Sequence, residues 1–344
     1  MSDQPRRAIA DAIRKRGPIT FAEFMELALY GEGGFYEGSP VGPGLDAAFI
    51  TSPHVHPIFG RLLSAGIREL WDLLGRPDPF LISEVGASDG SLARQLLESL
   101  VAVPIRYRAI DRSSAARETL ARLDAVEVEE RLGGDPHLVL GHELLDNLPF
   151  RRFRRGRELL VGLDGDRFVE VLTENEEELE DEEEEETLLL EGAFAFLGEL
   201  ASRLTHGYAL LIDYGGSGGP GGPAHGYRAH RVVEDLLADP GRSDITAGVD
   251  FDRIARHAEE LGLTVLGNVS QHDALMALGF ESWARKELAR QAGLLDERRG
   301  LEAVRTWSGR SRATLLADPA ALGRLRWLLL ASSGLPAPSW LAHS

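Results

Sequence analysis

Between Asp78 and Asp213 short apolar runs alternate with segments of helical spacing, and that alternation restricts the chain to parallel βαβ units. Strands are predicted at Phe80–Val85, Ile105–Ile110, Val126–Val128, His137–Leu140 and Tyr208–Asp213. Helices are predicted between them at SLARQLLESL, Ser91–Leu100, and at Ser114–Leu123. The pattern resumes with a helix over Phe251–Leu261 and strands at Leu263–Val269 and Arg326–Ser332. The expected class is α/β, with a mostly parallel sheet and inserted segments.

Residues 1–75 read as an N-terminal helical cap, and 76–344 as the core. Thr20 and Glu23 form a capping box before FAEFMELALY, Gly31–Asp46 is expected as a loop, and a second helix is expected from Pro57 through Trp71. The core carries insertions at about 151–195 and about 215–250. In the first, Arg151–Thr173 alternates like a hairpin or meander, an acidic stretch follows, and Leu188–Leu204 reads as a helix. The second holds the glycine-rich run GGSGGPGGPAHG.

Composition narrows the function. The chain has no cysteine, which removes disulfide scaffolds, thiolate zinc sites and a cysteine nucleophile together. A formal net charge of −18 disfavours nucleic acid as a partner. Eleven of the acids lie in Glu174–Thr187, which reads as a solvated loop. No apolar run approaches the roughly 20 residues of a membrane helix. The N-terminus lacks an apolar signal core, so a cytoplasmic location is expected.

The candidate chemistry sits where strands end. In ISEVGASDGSLA, Ile82–Ala93, a strand turns through glycines into a helix, which presents backbone N–H groups to a ligand. The G-x-G-x-x-G spacing of dinucleotide sites is absent. Asp111 closes the second strand, where a carboxylate can accept hydrogen bonds from both ribose hydroxyls of a nucleoside. GHELLDNLP places Glu143 and Asp146 three residues apart just after the fourth strand. Two carboxylates there can grip a guanidinium or an amine, or simply occupy the first turn of a helix. Asp213 ends the fifth strand and is expected to line the crevice, with removal of a departing proton as its catalytic role. His54 and His56 are expected to cap backbone or face solvent rather than bind a metal.

TSPHVHPIFG, EVGASDGSLA, GHELLDNLP, LLIDYG and DITAGVDF occur in this order, and together they resemble the MidA-like methyltransferases. The resemblance runs from about Gly17 to the last strand. It implies a Rossmann-like class I methyltransferase core, S-adenosylmethionine as donor and a protein side chain such as arginine as acceptor. A small-molecule acceptor, or a cofactor-binding assembly factor without catalysis, stays open beside it. By the same resemblance Glu84, Gly86 and Gly90 are cofactor-turn positions, and Ser88 stands at the middle glycine, where a side chain implies weaker cofactor binding. Asp111 is then the ribose acid, and Glu143 and Asp146 lie in the substrate loop. Phe49, Thr51, Ser52, Pro53, Phe59 and Gly60 form a motif that closes over the cofactor's methionine end.

Overall fold

The computed structural model describes residues 3–38, 51–176, 186–216, 223–228 and 231–341. Seven strands form its main sheet. In chain order they are β1 (Phe80–Val85), β2 (Ile105–Ile110), β3 (Val126–Glu129), β4 (Leu138–His142), β5 (Tyr208–Asp213), β6 (Thr264–Ser270) and β7 (Arg326–Ala331). Their spatial order is β3-β2-β1-β4-β5-β7-β6. The first five are parallel, and β7 runs antiparallel to both β5 and β6. The sheet is therefore mixed and mostly parallel, and the strand order reverses between β1 and β4, where ligands of such sheets bind.

Every residue of β5 is buried, because layers cover both faces of the sheet. Leu138, Leu140, Leu210, Ile212 and Trp327 point to one face, packed with the helices Ile58–Leu73 and Ser91–Ser99. Val139, Ala209, Leu211, Leu328 and Leu330 point to the other, with the helices Gln4–Arg16, Glu191–Arg203 and Phe251–Glu260. The first 75 residues are thus divided. Ile9, Phe21, Phe24 and Met25 enter one core, while Ile58, Phe59 and Leu63 enter the other.

A second sheet is built on the meander Arg151–Arg154, Arg157–Asp164 and Arg167–Glu176. Ile19–Thr20 adds to its middle strand, and Thr187–Leu189 adds beside Arg151–Arg154. That last pairing corrects the helix expected over Leu188–Leu204, which begins at Glu191 because Leu188 and Leu189 are held in a ladder. The acidic stretch also starts later than expected, since Glu174 belongs to a strand and Glu186 pairs with the buried Arg152 at 2.7 Å. Residues 177–185 of that stretch lie outside the described residues.

Other expectations shift at their edges. Thr20 Oγ1 does accept the Glu23 N–H, at 3.1 Å, and the helix it starts widens into a π-helical turn over Glu26–Tyr30. Within the expected loop Gly31–Asp46, Phe35–Gly38 forms a short helix, and 39–50 fall outside the described residues. The glycine-rich run is described only at its ends, with 217–222 outside. Beyond it, Ala224–Arg228, Arg231–Val233 and Asp244–Ala247 make a three-stranded sheet that periodicity did not reveal. Three helices between β6 and β7, Gln271–Ala277, Phe280–Asp296 and Gly300–Ala317, were not anticipated either.

Candidate active site

A cavity of about 1370 Å³ opens at the C-terminal ends of β1, β2 and β4. The turn after β1 forms part of its wall. Gly86 and Gly90 have φ of +75° and +71°, a conformation glycine adopts without strain. At Gly90 an added Cβ would lie 2.4 Å from Leu123 Cδ1, so no side chain fits. Ser88 holds a left-handed φ of +51° with its side chain exposed, and its N–H donates to Asp111 Oδ2 at 2.9 Å. Asp111 Oδ1 accepts from the Ser113 N–H at 2.9 Å. Each carboxylate oxygen keeps a lone pair for a further donor. Burial pushes the Asp111 carboxyl up, and the two N–H groups oppose that.

Glu84 lies inside the same wall. Burial raises its carboxyl to about 8, although the Tyr107 hydroxyl donates to Oε2 at 2.6 Å. Sequence reasoning passed over Asp89. It accepts from the Ser91 N–H and hydroxyl, and His54 Nε2 lies 3.2 Å from Oδ2. Burial would raise its carboxyl, but these partners hold it down at about 2.

Through His54 the Ser52–Val55 turn is tied to the glycine turn. Gln95 ties it further, donating to the Pro53 carbonyl at 2.7 Å and accepting from the Gly60 N–H at 3.0 Å. Thr51 lines the cavity, while Ser52 is buried behind it and gives its N–H to Glu143. The other nitrogen of His54 meets Thr51, and His56 Nδ1 accepts from the Ile58 N–H at 3.1 Å. Among the described residues no cluster of three or more His, Asp or Glu could hold a metal. Phe49 lies outside the described residues.

The loop after β4 is anchored by Asp213. Its Oδ2 accepts the N–H groups of Leu144, Leu145 and Asp146 at 2.9, 2.7 and 3.3 Å, and Oδ1 accepts from Tyr214 at 2.8 Å. Burial still raises this carboxyl to about 7. Asp213 is fully buried and absent from the cavity wall, which corrects the expectation that it lines the crevice and takes a proton there. Its oxygens are committed to backbone.

Glu143 and Asp146 do line the cavity. Glu143 carries a left-handed φ of +51°, and its Oε1 is buried without a hydrogen-bond partner. Asp146 accepts from the Thr246 hydroxyl on Oδ2 at 2.7 Å, and its Oδ1 is likewise buried and unpartnered. Burial pushes both carboxyls well up, reinforced by Asp146 beside Glu143 and by Asp213 beside Asp146. His142 adjoins them with Nε2 unpartnered, and burial lowers its pKa to about 3, so its ring is neutral.

The opposite wall was not singled out in the sequence. Tyr36 donates to Asp244 Oδ1 at 2.7 Å, Asn147 donates to Asp244 Oδ2 at 3.1 Å, and Tyr30 donates to the Asn147 carbonyl at 3.0 Å. Asp244 and Thr246 stand on a short strand within an insertion, where only the folded chain reveals their place.

Comparison with known proteins agrees with this geometry. Residues 62–269 match the family described as "Putative S-adenosyl-L-methionine-dependent methyltransferase". The mitochondrial protein arginine methyltransferase NDUFAF7 of Danio rerio is 27% identical over 80% of this chain and 76% of its own. The human protein is 27% identical over 78% and 72%, and the Drosophila melanogaster homolog 28% identical over 92% and 82%. A Burkholderia thailandensis protein crystallised with S-adenosyl-homocysteine superposes with a TM-score of 0.82 at 24% identity, covering 99% of this chain and 95% of that one. The matched span covers more than half of the chain, from the helix before β1 through β6, and includes the glycine turn, Asp111 and the loop of Glu143 and Asp146. The chain belongs to the S-adenosyl-L-methionine-dependent methyltransferase family, and S-adenosyl-L-methionine is its cofactor.

Proposed function

We propose that this chain methylates an arginine side chain of a protein. The observation that carries the reading is the pair of buried, unpartnered carboxylate oxygens, Glu143 Oε1 and Asp146 Oδ1, in one cavity wall. A buried carboxylate without a partner is costly, and a cationic acceptor offsets that cost with charge-assisted hydrogen bonds. The planar fork of a guanidinium suits two carboxylates better than a single ammonium does. The cavity exceeds the roughly 300–1,000 Å³ of ordinary small-molecule pockets, which leaves room for a peptide segment beside the donor. The relatives named as protein arginine methyltransferases support the same acceptor.

The residues that fit the donor are the turn Gly86–Gly90, where glycines let a ligand approach backbone N–H groups, and Asp111, with a free lone pair on each oxygen. Thr51 and Glu84 complete that side of the wall, with Ser52 behind it. When bound, S-adenosyl-L-methionine supplies an electrophilic methyl group on a sulfonium. Glu143 and Asp146 hold the guanidinium and leave its far nitrogen facing that methyl group, so that orientation lowers the barrier. Thr246 fixes Asp146, and Asp213 fixes the backbone of the loop. The nitrogen that gains a methyl group sheds a proton, and Glu143 Oε1, raised by burial, accepts it.

Glu143→Gln and Asp146→Asn test the reading. Labelled-methyl transfer into a lysate from cells lacking this protein is expected to fall by roughly a hundredfold or more in each. S-adenosylhomocysteine affinity, measured by calorimetry, is expected to stay within a few-fold. Full transfer activity in Glu143→Gln rejects the acceptor site.

A further inference from the structure

The helices Phe280–Asp296 and Gly300–Ala317 form an antiparallel hairpin between β6 and β7, joined through Glu297–Arg299. Its root is anchored in the core by Phe280, Ala313 and Leu316. Toward the tip, Leu294 and Ala303 are buried between the two helices. Beside this seam runs an apolar stripe. Leu288, Leu295, Val304 and Trp307 are each more than half exposed, and Leu301 is 81% exposed. Leu295 and Val304 each follow a seam residue by one position. In an antiparallel pair that step turns both helices' side chains toward the same side, so the residues share one face. Single exposed apolar side chains are ordinary, but five on one face of a protruding hairpin mark a contact surface.

We propose that this face binds the same face of a second copy of the chain, two hairpins packing tip-to-root into a four-helix bundle about a two-fold axis. The stripe is carried by both helices, as a self-complementary contact requires. Charge selects the orientation. The root holds Arg285, Lys286, Arg290, Arg305, Arg310 and Arg312 against Glu281 and Glu287. The tip holds Asp296, Glu297 and Glu302 against Arg298 and Arg299. A tip-to-root dimer sets the acidic end of each hairpin beside the basic root of the other, whereas root-to-root packing sets like charges together. Such exposed pairs contribute little individually, so they fix the arrangement while the apolar face supplies affinity.

Sedimentation velocity on the full chain tests the assignment. Wild type is expected to sediment at twice the 37.6 kDa of one chain. Leu295→Glu and Val304→Glu, one on each helix, are expected to weaken the dimer at least tenfold, by about 1.4 kcal/mol or more. Both positions are exposed, so their thermal transitions should match wild type. A monomeric wild type overturns the proposal, even if the face captures some other protein. So does a dimer that survives both substitutions with unchanged affinity.

Discussion

Ser88 holds a left-handed φ of +51° in the turn after β1, where a Cβ costs about 1 kcal/mol relative to glycine. Its N–H is engaged by Asp111, but its side chain is exposed and reaches no partner that would offset the strain. Ser88→Gly is therefore expected to stabilise the protein by about 0.5–1 kcal/mol, read from the urea midpoint at constant m-value. Calorimetry on the same variant separates backbone from side chain. Equal or tighter S-adenosylhomocysteine binding identifies Ser88 as strain alone, and a clear loss of affinity identifies its hydroxyl as a ligand contact. The positions of Ser88, Gly86, Gly90 and Asp111 were legible in the sequence because strand, turn and helix are consecutive. That Asp111 pins the turn through the Ser88 N–H was not legible, since the bond joins residues 23 apart.

At the scale of elements, the loop after β4 is shaped by the last residue of β5. Asp213 gathers three successive N–H groups of the loop on one oxygen, which holds Glu143 and Asp146 toward the cavity. Asp213→Asn replaces one acceptor oxygen by a donor and cannot satisfy the same four N–H groups. Transfer is expected to fall at least about tenfold, and melting temperature by several degrees, for loss of charge-assisted hydrogen bonds in a buried site. S-adenosylhomocysteine affinity should change little, because the glycine turn and Asp111 do not depend on this anchor. Unchanged activity in Asp213→Asn means the loop holds its shape without it. The sequence placed Asp213 at its strand end correctly and mistook its task, because a carboxylate at a strand end looks the same whether it faces a cavity or a backbone turn.

The whole molecule carries a set of buried acids with raised pKa values. Burial lifts Glu84 to about 8, Asp213 to about 7 and Asp244 to about 6. Each gives up its proton near 4 when unfolded, so over the interval between the two values the folded state holds more protons. Stability of the ligand-free protein must then fall as pH rises through that interval. The melting temperature is expected to drop by several degrees from pH 6 to pH 9 in scanning calorimetry. Glu84→Gln, which keeps an oxygen for the Tyr107 hydroxyl, should reduce that slope. A slope identical to wild type means that Glu84 is ionised in the folded protein throughout.

The sequence by itself determined the order of the strands along the chain, the glycine turn and the acids that end β2, β4 and β5, because each is a local pattern of period, turn residue and strand end. It also determined the family, through five motifs in a fixed order. It did not determine that Ile19–Thr20 and Thr187–Leu189 join one sheet, since pairing between distant segments leaves no local period. Nor did it reveal the hairpin between β6 and β7, whose exposed apolar residues blur the two-sided pattern that marks an ordinary surface helix. Only the tertiary structure brought Tyr36, Glu84, Glu143 and Asp244 to one cavity. The physical reason is that a site of this kind depends on which side chains are left without partners after packing. Glu143 Oε1 and Asp146 Oδ1 are such atoms, and their isolation exists only once every neighbour has been placed.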